Sequence, residues 1–231
     1  MYNNVEMINT QEHKNHAVKA MENFSYAKQE ISTPITLAEF YESCKDYPIV
    51  FIKDEANNWM ASVMLGYVKD NNLHVDANGM WEKGKYIPAS IRRYPFIFIN
   101  QENNDFSLGI EKSALSEDEK DKERKIFTKE EKPSEFTNSV LEFMNQFQRD
   151  ALATAGFIAQ LDKWELLEEK SAQIVTPDQK SHQINGFFIV NEEKLKHLSK
   201  KKKEEICDKN AYALITAHLI SLSNVQRMSA K

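Results

Sequence analysis

Ile49-Val50-Phe51-Ile52-Lys53, Asp54-Glu55-Ala56-Asn57-Asn58 and Trp59-Met60-Ala61-Ser62-Val63-Met64 follow one another without a break, and their reading decides the fold class. The first and third stretches are apolar runs rich in β-branched and aromatic residues, and the second is polar turn material. Such a pattern predicts two antiparallel strands, the second continuing to Val68. Asn71-Asn72 marks another turn, and residues 73–76 read as a third strand, so the region predicts an antiparallel meander.

Upstream, Thr33-Pro34-Ile35-Thr36 opens a helix. Thr36 has the chemistry of an N-cap and Glu39 sits three residues on, which is the spacing of a capping box. The helix runs through Leu37, Phe40 and Tyr41 and ends before Pro48. Residues 1–30 are polar and are expected to lie along the surface or to fray. Downstream, Asn78-Gly79 is a tight turn, and Pro88 begins a short helix that ends before Pro95. Residues 96–99 and 106–110 predict a hairpin around Asn100 to Asp105.

The composition then changes. Residues 111–135 carry nine acidic and seven basic side chains, with Ile126-Phe127 as the strong apolar anchor. They predict a solvated surface connection that touches the body once. Ser134 caps a long amphipathic helix, because Val140, Phe143, Met144, Phe147, Ala151, Ala155, Ile158 and Leu161 recur at helical spacing. Residues 186–190 read as a buried strand, paired with 173–175 across Pro177-Asp178. Short helices follow, one through Leu195 and Leu198 and one capped by Ser199 that opens on Lys200 to Lys203. Residues 211–228 are apolar on nearly all sides and predict one buried helix. The sum is an α+β chain, a strand-rich antiparallel N-terminal half packed with a helical C-terminal half, forming one domain over 1–231.

Bulk properties narrow the function classes. The chain has 231 residues, 41% of them apolar, and a net charge of −5. A protein that wraps nucleic acid normally carries a basic excess, so no nucleic-acid partner is expected. No apolar run approaches the roughly 20 residues that span a bilayer, so no transmembrane segment is expected. The first residues lack a secretory signal, which predicts a cytoplasmic location. Cys44 and Cys207 are far apart and form no metal or redox motif; idle thiols in a reducing compartment are expected. The six glycines form no phosphate loop, and neither a nucleophile elbow nor a zinc-binding helix motif is present. No cofactor is predicted.

Two constellations could carry chemistry. His74-x-Asp76, with His218 or His182 as a distant third ligand, has the composition of a two-histidine, one-carboxylate Fe(II) site. Arg227, beyond His218, would then meet an oxoacid. The bland alternative makes these ordinary strand, loop and core residues. Arg92-Arg93, flanked by Tyr86, Pro88, Tyr94 and Pro95, forms the second. Two guanidiniums beside turn residues suit a carboxylate or phosphate, because the planar fork matches bidentate acceptors. The alternative here pairs each arginine with a carboxylate of the chain itself, Asp76 among them.

Several blocks, taken in order, resemble one family. They are Asp46-Tyr47-Pro48-Ile49-Val50-Phe51, Val75-Asp76-Ala77-Asn78-Gly79-Met80-Trp81, Lys85-Tyr86-Ile87-Pro88 with Arg92-Arg93-Tyr94-Pro95-Phe96, Gly186-Phe187-Phe188-Ile189-Val190, and the ending from Ala217-His218 to Arg227. The chain is similar to the SapC family of bacterial proteins over roughly residues 20 to 229. The resemblance implies a link to surface-layer or other surface-protein biogenesis and no established catalytic mechanism. It implies Asp at position 76 without requiring His at 74, and it includes His218. The expected function is an accessory or binding protein with a protein or peptide partner. Its recognition surface would run from Asp76 to Pro95, with Asp76, Trp81, Tyr86, Arg92, Arg93 and Tyr94 as ligand-binding candidates, since Arg, Trp and Tyr are enriched at binding hot spots. The competing readings are an enzyme (an Fe(II) oxygenase using His74 and Asp76, or a group-transfer catalyst) and a homo-oligomer assembled through the late helices.

Overall fold

The computed structural model describes residues 1–100, 106–208 and 211–229. The strands are β1 (Val5–Met7), β2 (Ala17–Val18), β3 (Ser32–Ile35), β4 (Ile49–Lys53), β5 (Trp59–Met64), β6 (Phe96–Asn100), β7 (Phe106–Glu111), β8 (Leu115–Ser116), β9 (Leu167–Val175) and β10 (Ser181–Val190). The helices are α1 (Thr10–His13), α2 (Phe40–Ser43), α3 (Ala89–Arg92), α4 (Glu135–Lys163), α5 (Glu192–Lys196), α6 (Lys200–Asp208), α7 (Ala211–Ser221) and α8 (Asn224–Met228). The fold is α+β, with antiparallel sheets and a helical C-terminal part.

The main sheet has five strands in the order β3-β5-β4-β10-β9, and a second has three in the order β1-β7-β6. At the centre of the first, Ile49 faces Val63 and Phe51 faces Ala61 across the β4–β5 ladder. Ile49, Phe51, Ala61 and Val63 enter the largest core with Ile158 and Leu161 of α4 and Ile215 of α7. Val50 and Met64 point to the opposite face, where Ile174, Phe187 and Met228 cover them. A strand buried on both faces explains why β4 reads as an unbroken apolar run rather than an alternating one.

The capping box forms as expected: Thr36 N donates to Glu39 Oε2 at 2.8 Å, and a 3₁₀ turn over Leu37–Glu39 leads into α2. Ser134 caps α4 by accepting from Thr137 N. At ~1.5 Å per residue α4 is about 43 Å long, enough to serve two cores. Its first half contributes Met144 to a cluster with Phe96 and Ile110 of the smaller sheet, and its second half packs on the larger sheet.

Several expectations are corrected. Residues 1–30 do not simply trail over the surface. β1 pairs with β7, β2 pairs with β8, and His13, Ala17 and Val18 are buried. Thr33-Pro34-Ile35 belongs to an edge strand, β3, with Pro34 placed where a sheet tolerates its missing donor. β5 stops at Met64. Beyond it Gly66 passes so close to the Asn71 carbonyl that a Cβ would sit 2.1 Å from that oxygen. Residues 73–76 are not a strand. Asn72 Oδ1 takes the His74 N–H and Asp76 Oδ1 takes those of Asn78 and Met80, so side chains replace the ladder.

The charged stretch 111–135 is anchored by Ile126 and Phe127 and also by β8 and the buried Asp121. β9 begins at Leu167 and β10 at Ser181, both earlier than expected, so His182 lies in strand β10 rather than a loop. α5 ends at Lys196, before Leu198. The expected helix over 211–228 is two helices, α7 and α8, and it leaves Ile220 exposed. The predicted hairpin is β6–β7, while its turn at 101–105 lies outside the described residues.

Candidate functional site

The segment from Asp76 to Pro95 is stapled to the body at its back. Asp46 holds Lys85 Nζ at 3.0 Å and Tyr86 N at 2.9 Å. Tyr47 donates its hydroxyl to the Tyr86 carbonyl and accepts from the Trp81 indole at 3.1 Å. Burial pushes the Tyr47 phenol well above its ordinary pKa, so it stays a donor. Glu39, the acidic member of the capping box, reaches further. Its Oε1 accepts from Ala89 N at 2.7 Å and from the Tyr86 hydroxyl at 3.1 Å. One buried carboxylate therefore fixes both the start of the α2 turn and the start of α3.

These anchors place the two arginines at the last turn of α3. Arg92 is exposed. It donates Nε to the Ile87 carbonyl at 3.0 Å and Nη2 to the Tyr86 hydroxyl at 3.3 Å. Its guanidinium lies 5.9 Å from the Tyr86 ring centroid and 5.7 Å from that of Phe143. Arg93 is half-buried, with its guanidinium 5.2 Å from the centroid of Phe147. It lies close enough to the Tyr2 hydroxyl to oppose the burial that raises that phenol's pKa to about 12. Arg93 Nε is buried and has no hydrogen-bond partner among the described residues. A buried donor left unpaired costs about 1–3 kcal/mol.

Among the described residues, neither arginine makes an ion pair with Asp76 or any other carboxylate. Asp76 is exposed and spends Oδ1 on its own loop. Among the described residues no carboxylate touches either guanidinium, and Glu39 reaches Arg92 only through the Tyr86 hydroxyl. Beside Arg93 a cavity of about 180 Å³ opens between the sheet and α4. Pro34, Ile35, Met60 and Ala61 form one wall, and Phe147, Ala151 and Thr154 form the other.

The sequence-derived candidates do not gather at one point. Asp76 and Trp81 line a separate, open depression of about 640 Å³ with His74, Met80 and Glu82. Trp81 is itself buried. Tyr94 stacks on Tyr26 at 4.0 Å between centroids and leans on Tyr2. Tyr86, Arg92 and Arg93 are the ones brought together, by Glu39 and by α4. Phe143, Phe147 and Ala151 were legible only as positions on an amphipathic helix, and Thr154 was not singled out. Their spacing put them on one stripe, but no local signal said what that stripe would meet.

The alternative Fe(II) ligands are placed apart in role. His74 Nδ1 lies 2.8 Å from Glu82 Oε2. His218 is fully buried, with Nε2 accepting from Val190 N at 3.0 Å and Nδ1 donating to the Ile49 carbonyl at 3.0 Å. Burial lowers its pKa to about 4, so the ring is neutral. Both nitrogens are engaged, and among the described residues no group of three His, Cys, Asp or Glu side chains is disposed to hold a metal ion. The described helices include none long and apolar enough to cross a membrane.

Neither a curated protein nor a solved structure matches the chain. The SapC family model matches residues 8–228, which takes in the five-stranded sheet, α4 and the paired arginines, and the chain therefore belongs to the SapC family.

Proposed function

We propose that this SapC-family chain is an accessory binding protein that recognises an anionic group on a polypeptide through the face formed by Arg92, Arg93 and the aromatic stripe of α4. One observation carries the reading: two adjacent guanidiniums are held over aromatic rings, yet among the described residues no carboxylate makes an ion pair with either. Electrostatic self-pairing would be the ordinary fate of two surface arginines in an acidic chain. Held open instead, they suit a carboxylate or phosphate supplied from outside. Aromatic neighbours add contact area and cation–π attraction of about 0.5–1 kcal/mol each at an exposed site.

The setting we assign is the cytoplasm, and the client a surface protein on its way to export. Cys44 and Cys207 are both free thiols, which suits a reducing compartment. The link to surface proteins rests on the family.

The test is a comparison of wild type with an Arg92→Ala, Arg93→Ala double variant. Binding of short anionic peptides is read by isothermal titration and by the arginine Nε–H resonances. Wild type should show both Nε signals shifting on titration, and the double variant should bind at least 10-fold more weakly. A double variant that folds and retains every ligand and partner of wild type would sink the reading.

A further inference from the structure

We infer that the cavity beside Arg93 takes the C-terminal residue of a client polypeptide, its α-carboxylate on Arg93 and its apolar side chain between Met60 and Ala151. This rests on the reading above and names the anionic group.

The chemistry of the walls narrows the occupant. Six of the lining residues are apolar: Pro34, Ile35, Met60, Ala61, Phe147 and Ala151. The two hydroxyls, of Thr36 and Thr154, are already engaged. Thr36 Oγ1 donates to Glu39, and Thr154 Oγ1 donates to the Asp150 carbonyl while accepting from Leu37 N. Arg93 is the charged residue of the lining, and its Nε–H is buried without a partner among the described residues. A ligand that fits must therefore bring one anionic group and otherwise apolar surface.

Size narrows it again. The cavity, at about 180 Å³, is close to the ~150 Å³ of an apolar cavity that admits benzene. It is well below the roughly 300–1,000 Å³ of sites for drug-sized molecules. One branched side chain fills it; a nucleotide or other large cofactor does not.

The third constraint is charge. No carboxylate lines the cavity, so the ammonium of a free amino acid would add a second positive charge beside Arg93 with nothing to offset it. In a peptide that nitrogen is an amide and neutral. A carboxylate on a long acidic side chain would present charge to Arg93 but leave the apolar walls unfilled. A terminal α-carboxylate has its apolar side chain on the adjacent carbon, which is the juxtaposition the site offers. The planar guanidinium of Arg93 offers paired N–H donors that receive the two carboxylate oxygens side by side.

The experiment titrates four probes into the full chain: an N-acetylated tripeptide ending in leucine, its C-terminal amide, the same peptide ending in glycine, and free leucine. A fifth probe, an amidated peptide rich in glutamate, reports on the anionic face in general. The leucine-terminated acid should bind tightest and shift the Arg93 Nε–H resonance. The amide and free leucine should bind at least 30-fold more weakly, and the glycine-ended acid about 10-fold more weakly. Ala151→Leu keeps a good helix former on α4 and fills the cavity; it should abolish binding of the leucine-ended acid and leave the glutamate peptide unaffected. Should amidation or Ala151→Leu make no difference while Arg92→Ala, Arg93→Ala still removes binding, the inference is overturned and the anionic face stands. If no probe binds, both fall.

Discussion

Two regions of this molecule set polar side chains of a helix against a sheet, and they do so with opposite outcomes. At the seam between β4 and β10 the strands share a single paired position, Phe188 with Phe51, and α7 fills the gap that their divergence leaves. His218 donates to the Ile49 carbonyl and accepts from Val190 N, and Ser221 accepts from Ile49 N at 2.9 Å. Both imidazole nitrogens of His218 and the hydroxyl of Ser221 thus have partners inside the chain. At the α3–α4 face, Arg92 and Arg93 are positioned by the surrounding side chains, yet among the described residues no carboxylate pairs with them and Arg93 Nε has no partner. A polar group that satisfies its neighbours is spent on structure. One that is held in place with capacity left over is available to a ligand.

The comparison is broken most directly at the seam. His218→Ala removes two hydrogen bonds, leaves a buried carbonyl and a buried N–H unpaired, and opens a void against Phe51, whose ring centroid is 4.6 Å away. The expected loss is about 4 kcal/mol, read from urea unfolding. A loss below about 1 kcal/mol would mean that water or a shift of α7 replaces the imidazole, and that the seam is not closed by design.

Acid acts on the same residue. The His218 pKa is lowered to about 4 in the folded chain, against about 6.5 unfolded. The unfolded state therefore binds the proton first. The stabilisation is fully present above about pH 6.5 and is lost progressively as pH falls to about 4, amounting to about 3 kcal/mol by then. Urea midpoints measured at intervals from pH 7 to 4 should fall along this window, and the slope between pH 6.5 and 5 should flatten in His218→Gln. An unchanged slope in that variant would assign the acid sensitivity to other groups.

How much of each region the sequence disclosed follows from how local its contacts are. β4, β5, the Thr36–Glu39 box and α4 were legible because their signals lie within a few residues of each other. β1 and β2 were not, since three- and two-residue strands gain their meaning from partners about 100 residues away. His218 was legible as a core histidine, though not its partners, Ile49 and Val190. For the arginine face, residue type pointed to Arg92 and Arg93. What makes them a site, the ridge of Phe143, Phe147 and Ala151, depends on α4 crossing from one sheet to the other.

Glu39 connects the two kinds of chemistry. It is only 5% exposed, and it accepts from Thr36 N, Thr36 Oγ1, Ala89 N and the Tyr86 hydroxyl. Glu39→Gln turns an amide NH₂ toward donors that need an acceptor, at a cost of about 2 kcal/mol. The Arg92 Nε–H resonance should broaden with it, because the Tyr86 hydroxyl that Arg92 leans on loses its own anchor. A sharp, unmoved Arg92 signal in the variant would show that α4 alone positions the guanidinium.

The smallest effect is expected at Arg92 itself, and it sharpens the comparison most. The side chain is exposed, its hydrogen bonds at 3.0 and 3.3 Å compete with water, and its two ring contacts lie near the outer limit of cation–π attraction. Arg92→Ala should therefore change unfolding free energy by less than about 1 kcal/mol, within reach of paired urea titrations. A group that contributes little to folding while being held in one place is free to contribute to recognition. Were Arg92→Ala to cost as much as Glu39→Gln, the guanidinium would be a clamp between α3 and α4, and the face would be a second seam rather than a site.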